Sequence, residues 1–259
     1  MLSDADIQQF IRDGYVKIEN AFPRDLADEV RAILWRDTKC DPADSRTWTR
    51  PVVRLGDYYE APFVKAANTP RLREAFDSIV GRGRWQPRGS LGTFPVRFPS
   101  TQTPADTGWH VDPSFDYAQA AFMEWRTNIF SKGRALLMLF LFSDVDDNDA
   151  PTRLRVGSHL DIARKLAPAA EAGLTLRELA ANQFEEIAHC SEAHATGEVG
   201  TVFLCHPFLV HAAQAHRGTR PRFMAQPPLL PSEPLRLERA DADYSPVEQA
   251  IRLALGKQS

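Results

Sequence analysis

No purely apolar run in this 259-residue chain is longer than eight residues, Ala135 to Phe142. A membrane-spanning helix needs about 20. Charge of one sign is just as scarce. Lys and Arg total 31 against 34 Asp and Glu, a net of −3, which leaves no basic field for nucleic acid or an anionic membrane. Cysteine is nearly absent: Cys40, Cys190 and Cys205 are odd in number and far apart, so they read neither as a disulfide framework nor as a zinc cluster. The opening Met1-Leu2-Ser3-Asp4-Ala5-Asp6 lacks the basic and apolar regions of a secretory signal. Repeats, low-complexity tracts and a clear linker are also missing. These absences predict a cytoplasmic protein with reduced thiols, one domain over residues 1–259, and no nucleic-acid or membrane partner. Oligomeric state is not legible.

What is there begins with helix signals at both ends. Ser3 with Asp6 forms a capping box before Ile7, Phe10 and Ile11, and Gly14 stops the turn. Pro23 opens a helix over Arg24–Trp35, and Thr69-Pro70 opens one ending at Gly81. Ser245-Pro246 with Glu248 caps a last helix running to Gly256. The middle reads as strands at Thr93–Phe98, Trp109–Asp112, Arg134–Val145, Arg153–Val156, Glu185–Cys190, Thr201–Ala213 and Arg222–Ala225. Pro168–Asn182, rich in Ala, Glu and Leu, is expected to be a helix between them. Nineteen prolines fit a loop-rich β scaffold. The pattern predicts a mainly β fold with flanking helices, of jelly-roll type.

The chemistry is carried by two segments about a hundred residues apart. In Gly108-Trp109-His110-Val111-Asp112, strand alternation turns His110 and Asp112 to one face, and Trp109 and Val111 to the other. A His-x-Asp triplet alone is weak evidence, because most such pairs are surface hydrogen bonds. A second imidazole would complete the two-histidine, one-carboxylate face that suits non-haem Fe(II). His206 and His211 both qualify, each with an arginine eleven positions on, Arg217 and Arg222. Pairing His211 with Arg222 across a hairpin centres the turn beside Arg217-Gly218-Thr219-Arg220-Pro221, which has turn chemistry. Pairing His206 with Arg217 centres it in Leu209-Val210-His211-Ala212, which has none. His211 and Arg222 are therefore preferred, with Arg222 placed to grip a dicarboxylate in bidentate fashion.

Several segments in order resemble the phytanoyl-CoA dioxygenase-like family of Fe(II)- and 2-oxoglutarate-dependent oxygenases. Asp4-x-x-Ile7-x-x-Phe10-x-x-x-Gly14-Tyr15-Val16 looks like its opening helix and strand, and Trp109-His110-Val111-Asp112 like its proximal metal motif. Asp144-Val145-Asp146 through Val156-Gly157-Ser158-His159, and Gly200-Thr201-Val202-Phe203 leading to His211 and Arg222, resemble its later half. The resemblance implies a double-stranded β-helix (jelly roll, cupin-like). It also implies His110, Asp112 and His211 as iron ligands, with Arg222 as the 2-oxoglutarate anchor. Arg97 stands where family members often place a basic residue near that cosubstrate. The cofactors would be Fe(II), 2-oxoglutarate and O2, the partner a small molecule, and the reaction hydroxylation or a related oxidation. Halogenating members lack the carboxylate that Asp112 supplies.

Two positions depart from the family pattern: Asp149 replaces a common glycine, and Val156 replaces the proline before Gly-Ser-His. Trp109, Phe94 and Phe115 are candidates for a substrate wall or for core. His159 is a candidate for a pocket hydrogen bond or a structural role. The acidic run Asp144–Asp149 reads as a solvated turn. Competing functions are a metal-dependent jelly-roll isomerase, epimerase or lyase without 2-oxoglutarate, and a non-catalytic small-molecule binding protein.

Overall fold

The computed structural model describes residues 2–119 and 121–257. In chain order its helices and strands are α1 (Asp4–Asp13), β1 (Tyr15–Ile18), α2 (Arg24–Thr38), β2 (Val52–Leu55), α3 (Ala61–Ala67), α4 (Pro70–Ile79), β3 (Trp85–Gln86) and β4 (Phe94–Arg97). There follow β5 (Arg126–Thr127), β6 (Leu136–Leu141), β7 (Arg153–Arg155), α5 (Ser158–Leu166), β8 (Leu174–Thr175), α6 (Leu176–Leu179) and β9 (Glu192–His194). The chain ends with β10 (Val202–Cys205), β11 (His211–Ala212), β12 (Met224–Ala225), β13 (Pro228–Pro231) and α7 (Pro246–Ala254).

The major sheet runs β1-β10-β6-β13-β3, with β12 also on β6, and a minor sheet runs β11-β7-β9. Every pairing is antiparallel. Strand β6 sits at the centre because both of its faces are apolar. Leu137, Leu139 and Leu141 pack toward Leu154 of the minor sheet with Phe203, Cys205 and Met224. Leu136, Met138 and Phe140 point the other way, into the larger core shared with the helices. This period-two split makes three layers: minor sheet, major sheet, helices. The architecture is the expected jelly roll with flanking helices. No described helix is long and apolar enough to cross a membrane.

The capped helices form where their signals lie. Ser3 and Asp6 exchange backbone-to-side-chain bonds at the start of α1, and Ser245 and Glu248 do the same for α7. Gly14 ends α1 at φ 83°, and a Cβ there would lie 2.5 Å from Nδ1 of His159. Only glycine permits both the left-handed turn and that close ring. His159 is buried on α5, its Nε2 donating to the Ile11 carbonyl at 3.0 Å. Its role is structural.

Four local expectations fail. Pro168–Asn182 is not one helix: Gly173 breaks it at φ 61°, and short β8 and α6 follow. The helix in this region is α5, which the sequence reading passed over. Glu185–Cys190 is a 3-10 turn with a tail, and the strand follows it as β9. Trp109–Asp112 forms only a bridge at His110, because Pro113 has no N–H to continue a ladder. Thr201–Ala213 is split by Pro207 into β10 and β11.

Burial holds the His159 imidazole down at about 4 against an ordinary 6.5, with the Ile11 carbonyl and Asp13 opposing. Above 6.5 the ring is neutral in both states and contributes nothing to pH dependence. Between 6.5 and 4 the unfolded chain takes up a proton that the folded chain refuses, so stability falls as pH falls. Linkage sets the loss at about 3 kcal/mol. Urea titrations from pH 7 to 4.5 should show this decline, with a shallower slope in His159→Gln; an equal slope would remove His159 from the account.

Candidate active site

His110 lies on an irregular segment and His211 on β11, yet the two are locked together. The His110 N–H donates to the His211 carbonyl at 3.0 Å, and the His211 N–H donates back at 3.0 Å. This is a reciprocal antiparallel pair, which places the two side chains on one face. The ring centroids are 4.3 Å apart. Each ring is oriented the same way, Nδ1 donating to a carbonyl two residues back: Gly108 at 3.0 Å for His110, Leu209 at 3.0 Å for His211. Both Nε2 lone pairs are thereby turned outward.

They turn toward Asp112. Its Oδ1 lies 3.9 Å from His110 Nε2 and 3.8 Å from His211 Nε2, too far for hydrogen bonds. The three donor atoms all lie within 4.8 Å of one another. Three acceptors face one another with no proton between them, an arrangement that is repulsive until a cation joins them. The donor set fits a divalent metal with open positions. The free oxygen, Oδ2, lies 3.2 Å from Nη1 of Arg134, and Arg134 is itself held by the Pro113 carbonyl. Burial pushes the Asp112 carboxyl up, but Arg134 and the two imidazoles outweigh it and the net direction is down. Burial and the neighbouring His110 push His211 down to about 4, so it stays neutral near pH 7.

A cavity of about 430 Å³ is lined by His110, His211, Arg97, Asp106, Phe122 and Gln226, among others. Arg97 on β4 and Arg222 exchange backbone bonds at 3.1 and 2.8 Å, so two arginines stand directly opposite each other. Both are almost fully buried. Arg97 pairs with Asp106 at 2.8 Å, and Arg54 reaches the same carboxylate. Arg222 donates to the Ala150 carbonyl. Nε of Arg222 and both Nε and Nη1 of Arg97 have no hydrogen-bond partner among the described residues. Burial, then Arg97, drives the Arg222 guanidinium well below its usual range. Two buried cations share one acid here, and the surplus charge calls for an anion.

The five predicted site residues thus fall into two groups, with a correction. His110, Asp112 and His211 converge, and Arg97 joins the imidazoles in lining one cavity. Arg222 stands opposite Arg97 through their backbone pair and is not among the residues that line this cavity. The predicted His211–Arg222 hairpin does not form: β11 pairs with β7 in the minor sheet, while β12 pairs with β6 in the major one. The turn between them docks instead on Asn148, whose carbonyl accepts from Arg217 and Gly218.

Of the proposed wall aromatics, Phe94 is core, Phe115 lies under Lys132, and Trp109 is clamped between Arg153 and Arg155, 4.4 Å from each. The aromatic that lines the cavity is Phe122, which carries no sequence signal because its loop has no periodicity. Arg134 was also missed, although a charge opening an apolar strand signals a buried partner.

The fold defines a double-stranded β-helix protein. The chain belongs to the phytanoyl-CoA dioxygenase (PhyH) family, whose model matches residues 10–224. Among solved structures it is similar to HygX from Streptomyces hygroscopicus with nickel and 2-oxoglutarate bound, at 18% identity over 95% of each chain and TM-score 0.58. It is also similar to the non-heme alpha ketoglutarate dependent epimerase SnoN from nogalamycin biosynthesis, at 14% identity over 86% of this chain and 80% of that one, TM-score 0.54. The carbocyclase SnoK from the same biosynthesis matches at 16% identity over 91% and 94%, TM-score 0.54. No curated protein matches.

Asp106→Asn should leave Arg97 and Arg222 without a neutralising charge. Asp106 is partly exposed, so the expected loss is about 1–3 kcal/mol, read by urea unfolding and partly recovered in sulfate. Unchanged stability would mean that the arginine pair carries no surplus charge.

Proposed function

We propose that the chain is a non-haem Fe(II)- and 2-oxoglutarate-dependent oxygenase that hydroxylates a small molecule. The observation that carries the reading is the three-acceptor convergence of His110, Asp112 and His211, sharing a cavity with Arg97. Family membership supports it. So do HygX, solved with nickel and 2-oxoglutarate, and SnoN, solved with Fe3+ and alpha ketoglutarate.

In this reading His110, Asp112 and His211 hold the metal from one side. When bound, ferrous iron supplies the activation of O2 and the coupling of 2-oxoglutarate decarboxylation to substrate oxidation. The chain's own residues do the rest. The Gly108 and Leu209 carbonyls keep each Nε2 free of a proton. Arg134 occupies the second oxygen of Asp112, which favours one-oxygen ligation and leaves space on the metal. Arg97, with Arg222 opposite it across the backbone pair, provides the positive potential for the cosubstrate carboxylate, and Phe122 offers an apolar wall to the substrate.

A jelly-roll isomerase or lyase working without 2-oxoglutarate would have no use for the buried arginine pair, and a pure binding protein would have no use for open metal positions. Named relatives include an epimerase and a carbocyclase, so hydroxylation is the reading's finer part. A small-molecule screen for substrate-stimulated succinate release tests it, with the product's mass deciding between added oxygen and rearrangement.

Fe(II) with 2-oxoglutarate under anaerobic conditions should give a weak visible charge-transfer band, and admitting air should yield succinate. His110→Ala and Asp112→Ala should each abolish both signals; full succinate production by either variant would refute the ligand assignment. Arg222→Ala and Arg97→Ala should raise the 2-oxoglutarate requirement by an amount equivalent to about 2–5 kcal/mol. An unshifted titration would remove that arginine from the cosubstrate site.

A further inference from the structure

Where α5 begins and the turn before β9 ends, three metal-binding side chains meet outside the candidate active site. Asp161 lies in the first turn of α5. His189 and Cys190 end the turn that precedes β9. Cys190 Sγ is 3.6 Å from His189 Nε2 and 4.0 Å from Asp161 Oδ2, and His189 Nε2 is 3.4 Å from Asp161 Oδ2. A tetrahedral zinc ion with ordinary Zn–S, Zn–N and Zn–O bonds separates its ligands by about 3.3–3.8 Å. Two of the three separations fall in that range, and the third, Sγ to Oδ2 at 4.0 Å, lies just beyond it.

Two other readings of the cluster fit less well. A Cys-His-Asp relay uses both ring nitrogens, one for the thiol and one for the carboxylate; here Sγ and Oδ2 both approach the same Nε2. A disulfide is not formed, since all three cysteines are free.

The donors are also held in place. Arg164 Nη1 takes the other Asp161 oxygen at 2.6 Å. The Cys190 N–H donates to Ile187 at 3.0 Å, and its carbonyl accepts from Arg155 Nη1 at 3.2 Å. Cys190 is only 8% exposed, so its thiol faces the other two donors. His189 is the open side, where water would be the fourth ligand. Val156, in place of the family's usual proline, has an N–H, and this donates to Ser191 at 2.9 Å, fixing the residue after Cys190.

We propose that Asp161, His189 and Cys190 form a second cation site, for Zn2+, distinct from the candidate iron centre. Thiolate and imidazole select a borderline-soft ion over Mg2+ or Ca2+. The ion pins the start of α5 to the turn before β9.

Cobalt(II) is the probe, titrated into the reduced full-length chain without oxygen. The candidate iron centre contains no sulfur, so a near-ultraviolet thiolate-to-cobalt band reports the second site alone. The band should be displaced by Zn2+ and persist in the His110→Ala/His211→Ala double variant, where it should saturate with one cobalt per chain. Cys190→Ser should abolish it. His189→Ala, an exposed position that leaves folding intact, should weaken cobalt binding at least about tenfold. No band in the wild type, a band surviving Cys190→Ser, or an unshifted titration in His189→Ala would each overturn the site.

Discussion

Two backbone hydrogen bonds between His110 and His211 carry the architecture of the candidate active site. They join segments about a hundred residues apart, and an antiparallel pair of this kind sends both side chains the same way. Everything nearby serves that pair. Leu154 of β7 flanks His211 on its other edge, and the Arg155 N–H donates to Val210. Trp109 is clamped by two guanidiniums, which holds the loop segment without a regular ladder. The Pro113 that stops the ladder also gives its carbonyl to Arg134, so the residue that ends the strand helps to position the cation on Asp112.

Electrostatics follow from this packing. Turning three acceptors toward one another is costly, and so is burying two arginines beside one acid. The two clusters meet at one cavity, lined by His110 and His211 from the first and by Arg97 and Asp106 from the second. Each cluster alone resembles a folding defect, but together they are complementary: acceptors suited to a cation at the imidazoles and donors suited to an anion at the arginines. An Fe(II) ion with a dicarboxylate would settle both, which is why the proposed function rests on the pair of clusters rather than on either one.

Much of this was legible in the chain. Capping boxes located α1 and α7 because the signals are local, and the apolar run around β6 announced its central place. The convergence of His110, Asp112 and His211 was reachable through motif order. The partner of His211 was not. Turn chemistry at Arg217–Pro221 correctly marks a reversal, but it cannot say that the flanking strands enter different sheets. In a two-sheet fold a turn may cross the sandwich instead of closing a hairpin, and here Asn148 and Asp149 hold the crossing: Asp149 binds Arg220 at 2.9 Å. Helix placement around Pro168–Asn182 failed for a related reason. Composition favoured a helix, but Gly173 sits where a Cβ would strike the Thr127 carbonyl at 2.1 Å, and packing against β5 overrode propensity.

The departures from the family pattern now acquire physical meaning. Asp149, where a glycine is common, adds a buried carboxylate that ties the crossing turn to the Asp144–Asp149 loop. Val156, where a proline is usual, restores an N–H and with it a bond to Ser191. Neither change touches the three acceptors; each adds a hydrogen bond or ion pair within this chain. The second anchor runs from Ser191 and Cys190 through Arg155 to Trp109, the neighbour of His110. The same backbone that presents the Cys190 thiol to Asp161 and His189 therefore also supports the segment carrying the first imidazole. Arg155 thus touches both segments, donating to the Cys190 carbonyl and lying over the Trp109 ring.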